Sequence, residues 1–370
     1  MELAREHKAL FALVKAGLWH ERIEDCSLFP LIDGEWDYVL DLARRQTVTG
    51  LIYRGLDYLH ESFLPPDRIM FQLVAEVDQI ENVNKKVNEA VLELFEMFEK
   101  HGLHPVLQKG QGVATMYLDP LLREPGDIDI YFPNNNEHQM AQEILLELNV
   151  NVSKMPDGAV CYKWNGVDVE HHYRMFDIHS PLANSRLKKF FDIVDTKEIE
   201  IRVEGASIKV CIPSARENLL LMTSHILKHA IGRGIGLRQT CDLARACHKY
   251  HAEVESEEMR RIYVSAGIDK WSRTLHDFLC EWLGLPEDES PYSGMKKKTD
   301  NSELLSIVLE GGNFGHYNER QIEQPDSQWE RKIQTFKSFC YHARFSLSVA
   351  WQETVWTMLS LGKGNFRLEG

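Results

Sequence analysis

The sequence predicts an α+β protein. A mixed β-sheet with flanking helices occupies residues 101–212, between an all-helical region over 1–100 and a second helical region over 213–370. Three observations predict it. Apolar residues over 68–101 (Leu73, Val74, Val77, Ile80, Val83, Val87, Val91, Leu94) recur mostly at three- and four-residue spacing, the period of one helix face. Further on, two turn signals, Asn165-Gly166 and Glu204-Gly205, each join runs rich in β-branched residues. Between the helical run and these turns, the stretch 106–132, VLQKGQGVATMYLDPLLREPGDIDIYF, reads as strand, glycine turn, short helix, loop and a second strand carrying Asp127 and Asp129.

Taken in order, Leu10, Phe11, Leu13 and Val14 begin an apolar stripe, Trp36, Leu40, Leu42 and Ala43 give another, and 48–56 a third. Gly102 ends the long helix, as glycine commonly does. A strand over 103–107 and a helix over 110–118 follow, then a loop marked by Pro120, Pro125 and Gly126, and the carboxylate strand 127–132. Asn134 to Asn136 offer helix caps for a helix over 137–148. Asn165-Gly166 is a strong hairpin signal because both turn positions need positive φ, and its second strand runs from Val167 to Met175. A helix is expected over 186–194 and a hairpin over 196–212. Ser214 and Glu217 form a capping-box pattern for a helix to about 230, broken by Gly232, Gly234 and Gly236; 237–250 is helical again. The remainder reads as helical, interrupted by Pro286 and Pro291.

Composition bounds the function. At 370 residues and 44% hydrophobic, the chain is long enough for more than one lobe. A formal charge of −14 argues against a binder of long nucleic acid, which needs a basic footprint, but leaves a single nucleotide open. The seven cysteines are scattered, without a CxxC pair, so neither a zinc site nor a disulfide frame is indicated. The start of the chain has no basic segment or cleavage site of a secretory signal. The longest apolar stretch near the C-terminus, 345–361, is interrupted by Gln352 and Glu353. A cytoplasmic protein with no membrane partner is expected.

The chemistry concentrates in 106–132. Successive strand side chains alternate faces, so Asp127 and Asp129 share one, roughly 6–7 Å apart along the chain, while Ile128 and Ile130 take the other. Two carboxylates on one face suit a hard cation such as Mg²⁺, which is usually held by one or two carboxylates and substrate phosphates. Gly110 and Gly112 follow an apolar strand, where the backbone can come close to a phosphate. Downstream, Asp168, Glu170 and His172 share the polar face of the 167–175 strand and can meet the Asp127/Asp129 face if the two strands are neighbours.

These residues carry a resemblance. Lys109-Gly110, Asp119-Pro120, Leu122-Arg123 and Gly126-Asp127-Ile128-Asp129 resemble the nucleotidyltransferase superfamily with the DNA-polymerase-beta-like fold. With Glu170-His171-His172-Tyr173-Arg174, then His225…His229 and Gly236-Leu237-Arg238-Gln239…Asp242, they are similar to the bacterial family described as uncharacterised nucleotidyltransferase, over roughly residues 1–250. Two positions depart: Gln111 follows Gly110 where the superfamily often has a small residue, and His171 stands where an apolar residue is common. The resemblance implies two-metal, in-line displacement at the α-phosphorus of a nucleoside triphosphate, ATP foremost, with Mg²⁺ (or Mn²⁺) and an unknown hydroxyl acceptor, a small molecule or a protein. Asp127 and Asp129 would hold both ions. Glu170, chosen over Asp168 on the strength of the resemblance, would hold one and accept the proton of the attacking hydroxyl.

Lys109, Gly110, Gln111, Arg123, His172 and Arg238 are the candidate nucleotide contacts. His225, Lys228 and His229 lie on one helical face and are expected to close or pack the cleft with the Arg238–Asp242 helix. Two other readings stand beside this one. His225, His229 and Asp242 form a metal set of phosphohydrolase type, or the chain is a non-catalytic nucleotide-binding scaffold, which Gln111 in the phosphate turn favours.

Overall fold

Helices α1 (Arg5–Trp19), α2 (Asp33–Arg45), α3 (Thr49–Leu56) and α4 (Asp67–Lys100) open the chain. The computed structural model describes residues 3–155, 158–203, 205–232, 234–295, 298–312 and 343–360. α4 turns Ile69, Leu73, Val77, Val87, Val91, Leu94 and Phe98 inward. Its other apolar residues, Phe71, Val74 and Val83, face solvent. The predicted stripe is therefore narrower than the run of apolar residues, because 3.6 residues per turn carry part of any such run off the packed face. Two polar residues, Asn84 and Asn88, interrupt the buried side of α4. They become anchors for the site.

The sheet follows: β1 (Val106–Gln108), helix α5 (Gly110–Ala114), β2 (Ile128–Tyr131), α6 (Asn135–Glu147), β3 (Ser153–Lys154), β4 (Val160–Trp164), β5 (Val167–His172), α7 (Pro181–Leu187), β6 (Thr196–Val203) and β7 (Ala206–Pro213). The strand order is β3-β4-β5-β2-β1-β7-β6. β2 pairs antiparallel to β1 and parallel to β5, and β1 pairs parallel to β7. This is the mixed sheet between helical regions that the sequence predicts. Asn165 and Gly166 both take positive φ, 49° and 83°, and close the β4–β5 hairpin with Trp164 opposite Val167. In the second hairpin Val203 pairs with Ala206; Glu204 of its expected turn lies outside the described residues.

Several boundaries move for local reasons. β1 begins at Val106 rather than 103, since Pro105 has no N–H to give a ladder. The helix expected over 186–194 runs from Pro181 to Leu187. Pro181 suits the first helical position, and the Ser180 hydroxyl accepts from the Ala183 amide. A carboxylate 173 residues away, Glu353, takes the Ser180 N–H at that same end. Asn134 caps α6 through the Asn136 amide, as its position suggests.

After the sheet come α8 (Ala215–Gly232), α9 (Leu237–Tyr250), α10 (Ser256–Ala266), α11 (Asp269–Leu283) and α12 (Ser302–Gly311), with further helix over 343–360. Ser214 donates its hydroxyl to Glu217 at the start of α8. Among the described residues most buried apolar side chains form one continuous core from Leu3 to Ala350, passing through α4, the inner sheet face, α8, α9 and α11, with a smaller cluster of Val106, Tyr131, Met175 and Leu221 beside it. Among the described residues no helix is long and apolar enough to cross a membrane.

Candidate active site

Lys109 and Gly110 both have positive φ, 48° and 38°, so the chain reverses sharply between β1 and α5. A Cβ on Gly110 would stand 3.3 Å from the Asp127 carbonyl oxygen, so glycine there lets the turn lie against the start of β2. Positive φ at a lysine is uncommon and costs on the order of 1 kcal/mol or more; here the fold holds it, and it aims the ammonium group at β2.

Side chains from β2 and β5 meet as the shared-face argument requires. Asp129 is opposite Glu170 in the parallel register, and Tyr131 opposite His172. Asp129 is buried, its side chain 6% exposed, and its Oδ1 accepts from Lys109 Nζ at 3.0 Å and from His172 Nε2 at 2.6 Å. His172 Nε2 is 4.0 Å from Glu170 Oε2. Asp127 stands exposed at the mouth of the cleft, just before the strand. Asp168 is exposed and paired with Lys163 at 2.8 Å, so of the two β5 acids it is Glu170 that faces Asp129.

Charge organises this cluster. Burial disfavours the Asp129 anion, but Lys109 and then His172 outweigh it and hold the carboxyl well below the ordinary range. Asp127 is pushed up by the negative charge of Asp129. Burial also pushes Glu170 up, against the opposing pull of His172. Two acids resist ionisation beside one that is firmly ionised, so the cluster gains from further positive charge. One ligand atom each from Asp129, Glu170 and His172 lies within 4.8 Å of the others. The Asp129 and Glu170 oxygens and the His172 ring nitrogen, with Asp127 at the opening, fit a divalent cation.

The helical lobe supplies the opposite wall. Asp177, which no motif marks, is placed by the loop after β5. It accepts from His225 Nδ1 at 2.8 Å and Lys228 Nζ at 2.9 Å, both on α8. His229 Nε2 lies 3.1 Å from His225 Nε2. Lys109 Nζ approaches His225 to 3.4 Å, and burial followed by that ammonium lowers His225 to about 4. Burial opposes the Asp177 anion, yet Lys228 and His225 keep it well below the usual carboxylate range. Of the expected His225/Lys228/His229 face, His225 lines the cleft, while Lys228 lines a neighbouring recess with His172 and Asp177. The only trace of Asp177 in the sequence was an acid among the aromatics of HHYRMFD, without a partner spacing to mark it.

Two expected phosphate contacts are engaged elsewhere. The Gln111 amide donates to Asn84 Oδ1 and Asn88 Oδ1 on α4, so its side chain points away from the glycine turn. Arg123 makes a bidentate pair with Asp242, 2.8 Å for each bond, and Tyr117 donates to the same carboxylate at 2.7 Å. That arrangement also dissolves the alternative His225/His229/Asp242 metal set, since Asp242 is already satisfied. Asn84 donates to the Leu121 and Arg123 carbonyls, and Arg238 donates to those of Glu124 and Pro125, so both ends of the loop into β2 are tied. The cleft between sheet and lobe is lined by Lys109, Gly110, Arg123, Asp127, Asp129, His225 and Arg238. On the other side of Asp127 a recess is lined by Asn151, Ser153, Tyr162, Asp168 and Glu170. His171 faces away from both, buried among Phe98, Phe132 and Tyr162, and its ring nitrogen bonds the Tyr162 hydroxyl at 2.8 Å.

The mixed sheet between helical regions thus carries acids on and beside neighbouring strands, next to a glycine turn and facing a wall from the helical lobe. The chain belongs to the family described as uncharacterised nucleotidyltransferase, whose model matches residues 33–283. Among solved structures it is similar to an antigenic nucleotidyltransferase-like protein from Paracoccidioides brasiliensis, at 12% identity and TM-score 0.31, over 56% of this chain and 93% of that one. A search of curated proteins gives no match.

Proposed function

We propose that this protein transfers a nucleoside monophosphate from a nucleoside triphosphate, ATP foremost, to a hydroxyl on a small molecule or protein, with Mg²⁺ as cofactor. The observation that carries the reading is the pairing of Asp129 with Glu170 on adjacent parallel strands, with Asp127 two residues before Asp129. Asp127 and Asp129 would hold two ions and Glu170 one of them. When bound, the ions supply Lewis-acid stabilisation of the attacking and leaving oxygens. Lys109 and Arg238 face the side where the triphosphate charge would lie. His172 and Lys109 fix Asp129 in its ionised form. Glu170 takes the proton of the acceptor hydroxyl as its oxygen bonds to the α-phosphorus and the bond to pyrophosphate breaks.

The test is pyrophosphate release from each triphosphate, with and without Mg²⁺, across hydroxyl acceptors, in the wild type and in Asp129→Asn. Mg²⁺-dependent release that the variant loses supports the reading; release unchanged in the variant ends it. A second reading, a nucleotide-binding scaffold, is favoured by the engagement of Gln111 and Arg123 within the fold. It predicts triphosphate binding by calorimetry with no turnover over the whole acceptor panel.

A further inference from the structure

Away from the cleft, the last turn of α9 and the short turn Glu287–Glu289 after α11 bring together a different kind of donor set. His248 and His251 are three residues apart at a helix end, so both imidazoles reach the same side. His248 Nδ1 is 2.9 and 2.8 Å from the two oxygens of Glu289, and His251 Nδ1 is 3.9 Å from the nearer one. One nitrogen of each ring and one Glu289 oxygen lie within 4.8 Å of one another. The set is supported from beneath. The Glu289 side chain is 10% exposed, and the Trp19 indole of α1 stands edge-on to the His248 ring at 5.2 Å. Trp19 itself is held by its N–H bond to the Leu283 carbonyl. The imidazoles are open, 42% and 43% exposed, which leaves a fourth position to solvent.

We infer that His248, His251 and Glu289 form a binding site for one borderline transition-metal cation, Zn²⁺ before others, separate from the proposed active site. Tetrahedral zinc with bonds of about 2.0–2.2 Å needs ligand atoms about 3.3 Å apart; the distances from Glu289 Oε1 to His248 Nδ1, 2.9 Å, and to His251 Nδ1, 3.9 Å, straddle that value. The ion replaces the proton that His248 now shares with Glu289. His251 Nδ1 gives up its bond to the His248 carbonyl, 2.7 Å, or the ring turns to present its other nitrogen. Two imidazoles select zinc, copper or nickel over Mg²⁺, whereas the oxygen-rich set at Asp127, Asp129 and Glu170 selects the reverse. Bound there, the ion would tie the end of α9 to the segment following α11.

The experiment is calorimetric titration of metal-stripped full-length protein with ZnCl₂. It compares wild type, Glu170→Gln, His248→Ala/His251→Ala and Glu289→Gln, with thermal melting in chelator as the folding control. One zinc per chain is expected in wild type and in Glu170→Gln, weakened at least tenfold in the double histidine variant and in Glu289→Gln, each melting as wild type in chelator. No zinc uptake by wild type, or the same uptake by the folded double variant, overturns the inference. Uptake lost in Glu170→Gln alone overturns it too, since it assigns the ion to the cleft.

Discussion

Two buried ion pairs face the same cleft, and they differ in what they leave undone. Arg123 and Asp242 are matched fork to fork, with Tyr117 on the same carboxylate, and the loop carrying Arg123 is held by Asn84. Lys109 and Asp129 meet at one oxygen only, shared with His172, and two further acids crowd the same space. The first pair is complete within the protein; the second has more negative charge than its cations neutralise. A satisfied buried pair is scaffold, and an unbalanced one marks where a ligand contributes charge.

The comparison can be broken most directly at Asp242. Asp242→Ala leaves the Arg123 guanidinium buried and unpaired, and a loss of about 3–5 kcal/mol in unfolding free energy is expected by denaturant titration. A loss under about 1 kcal/mol would show the pair is not scaffold. Asp129→Asn should instead cost activity, on the order of 10²–10³-fold in pyrophosphate release, the range for removing one preorganised electrostatic contact to the transition state, with a smaller stability loss than Asp242→Ala. Equal destabilisation by the two would erase the distinction.

Mg²⁺ sharpens it. At a hundredfold excess over its dissociation constant the ion should raise wild-type stability by about 2.7 kcal/mol. That gain should vanish in Asp127→Asn, which without Mg²⁺ melts no lower than wild type because a like-charge contact with Asp129 is removed. Arg123→Lys should keep the Mg²⁺ gain; if it does not, Arg123 serves the site rather than the fold.

Acid discriminates the walls. His225 binds its proton more weakly in the folded state, at about 4 against 6.5. Between those values the unfolded chain takes up the extra proton, so stability is whole above pH 6.5 and falls as pH drops through the window, by at most about 1.4 kcal/mol per pH unit. His225→Gln should flatten that part of the stability profile, and an unchanged slope would refute the assignment. The smallest effect belongs to the exposed Lys163–Asp168 pair: Asp168→Asn should change stability by less than about 1 kcal/mol and leave turnover intact. Loss of turnover there would return Asp168 to the role given to Glu170.

Much of this was legible in the chain because it is local. Strand alternation separates Asp129 from Ile128 and Ile130, Asn165-Gly166 sets the hairpin, and glycine at 110 follows from the turn it makes. The ion pair between Arg123 and Asp242 was not legible, nor was the role of Asp177. In sequence a basic residue near a metal strand reads as a phosphate contact, and only packing reveals an acid 119 residues away with matching fork geometry. Gln111 misled for the same reason: its partners sit on α4, more than twenty residues back.

The sequence by itself determined the elements, the carboxylate strand and the turn beside it, since each depends on residues within a few positions of one another. The tertiary structure alone decided that β2 and β5 are parallel neighbours in the register that sets Asp129 against Glu170. It also decided which charged groups are spent inside the fold. Strand order and ion-pair choice depend on contacts between residues far apart in the chain, where burial and geometry, not spacing, select the partner.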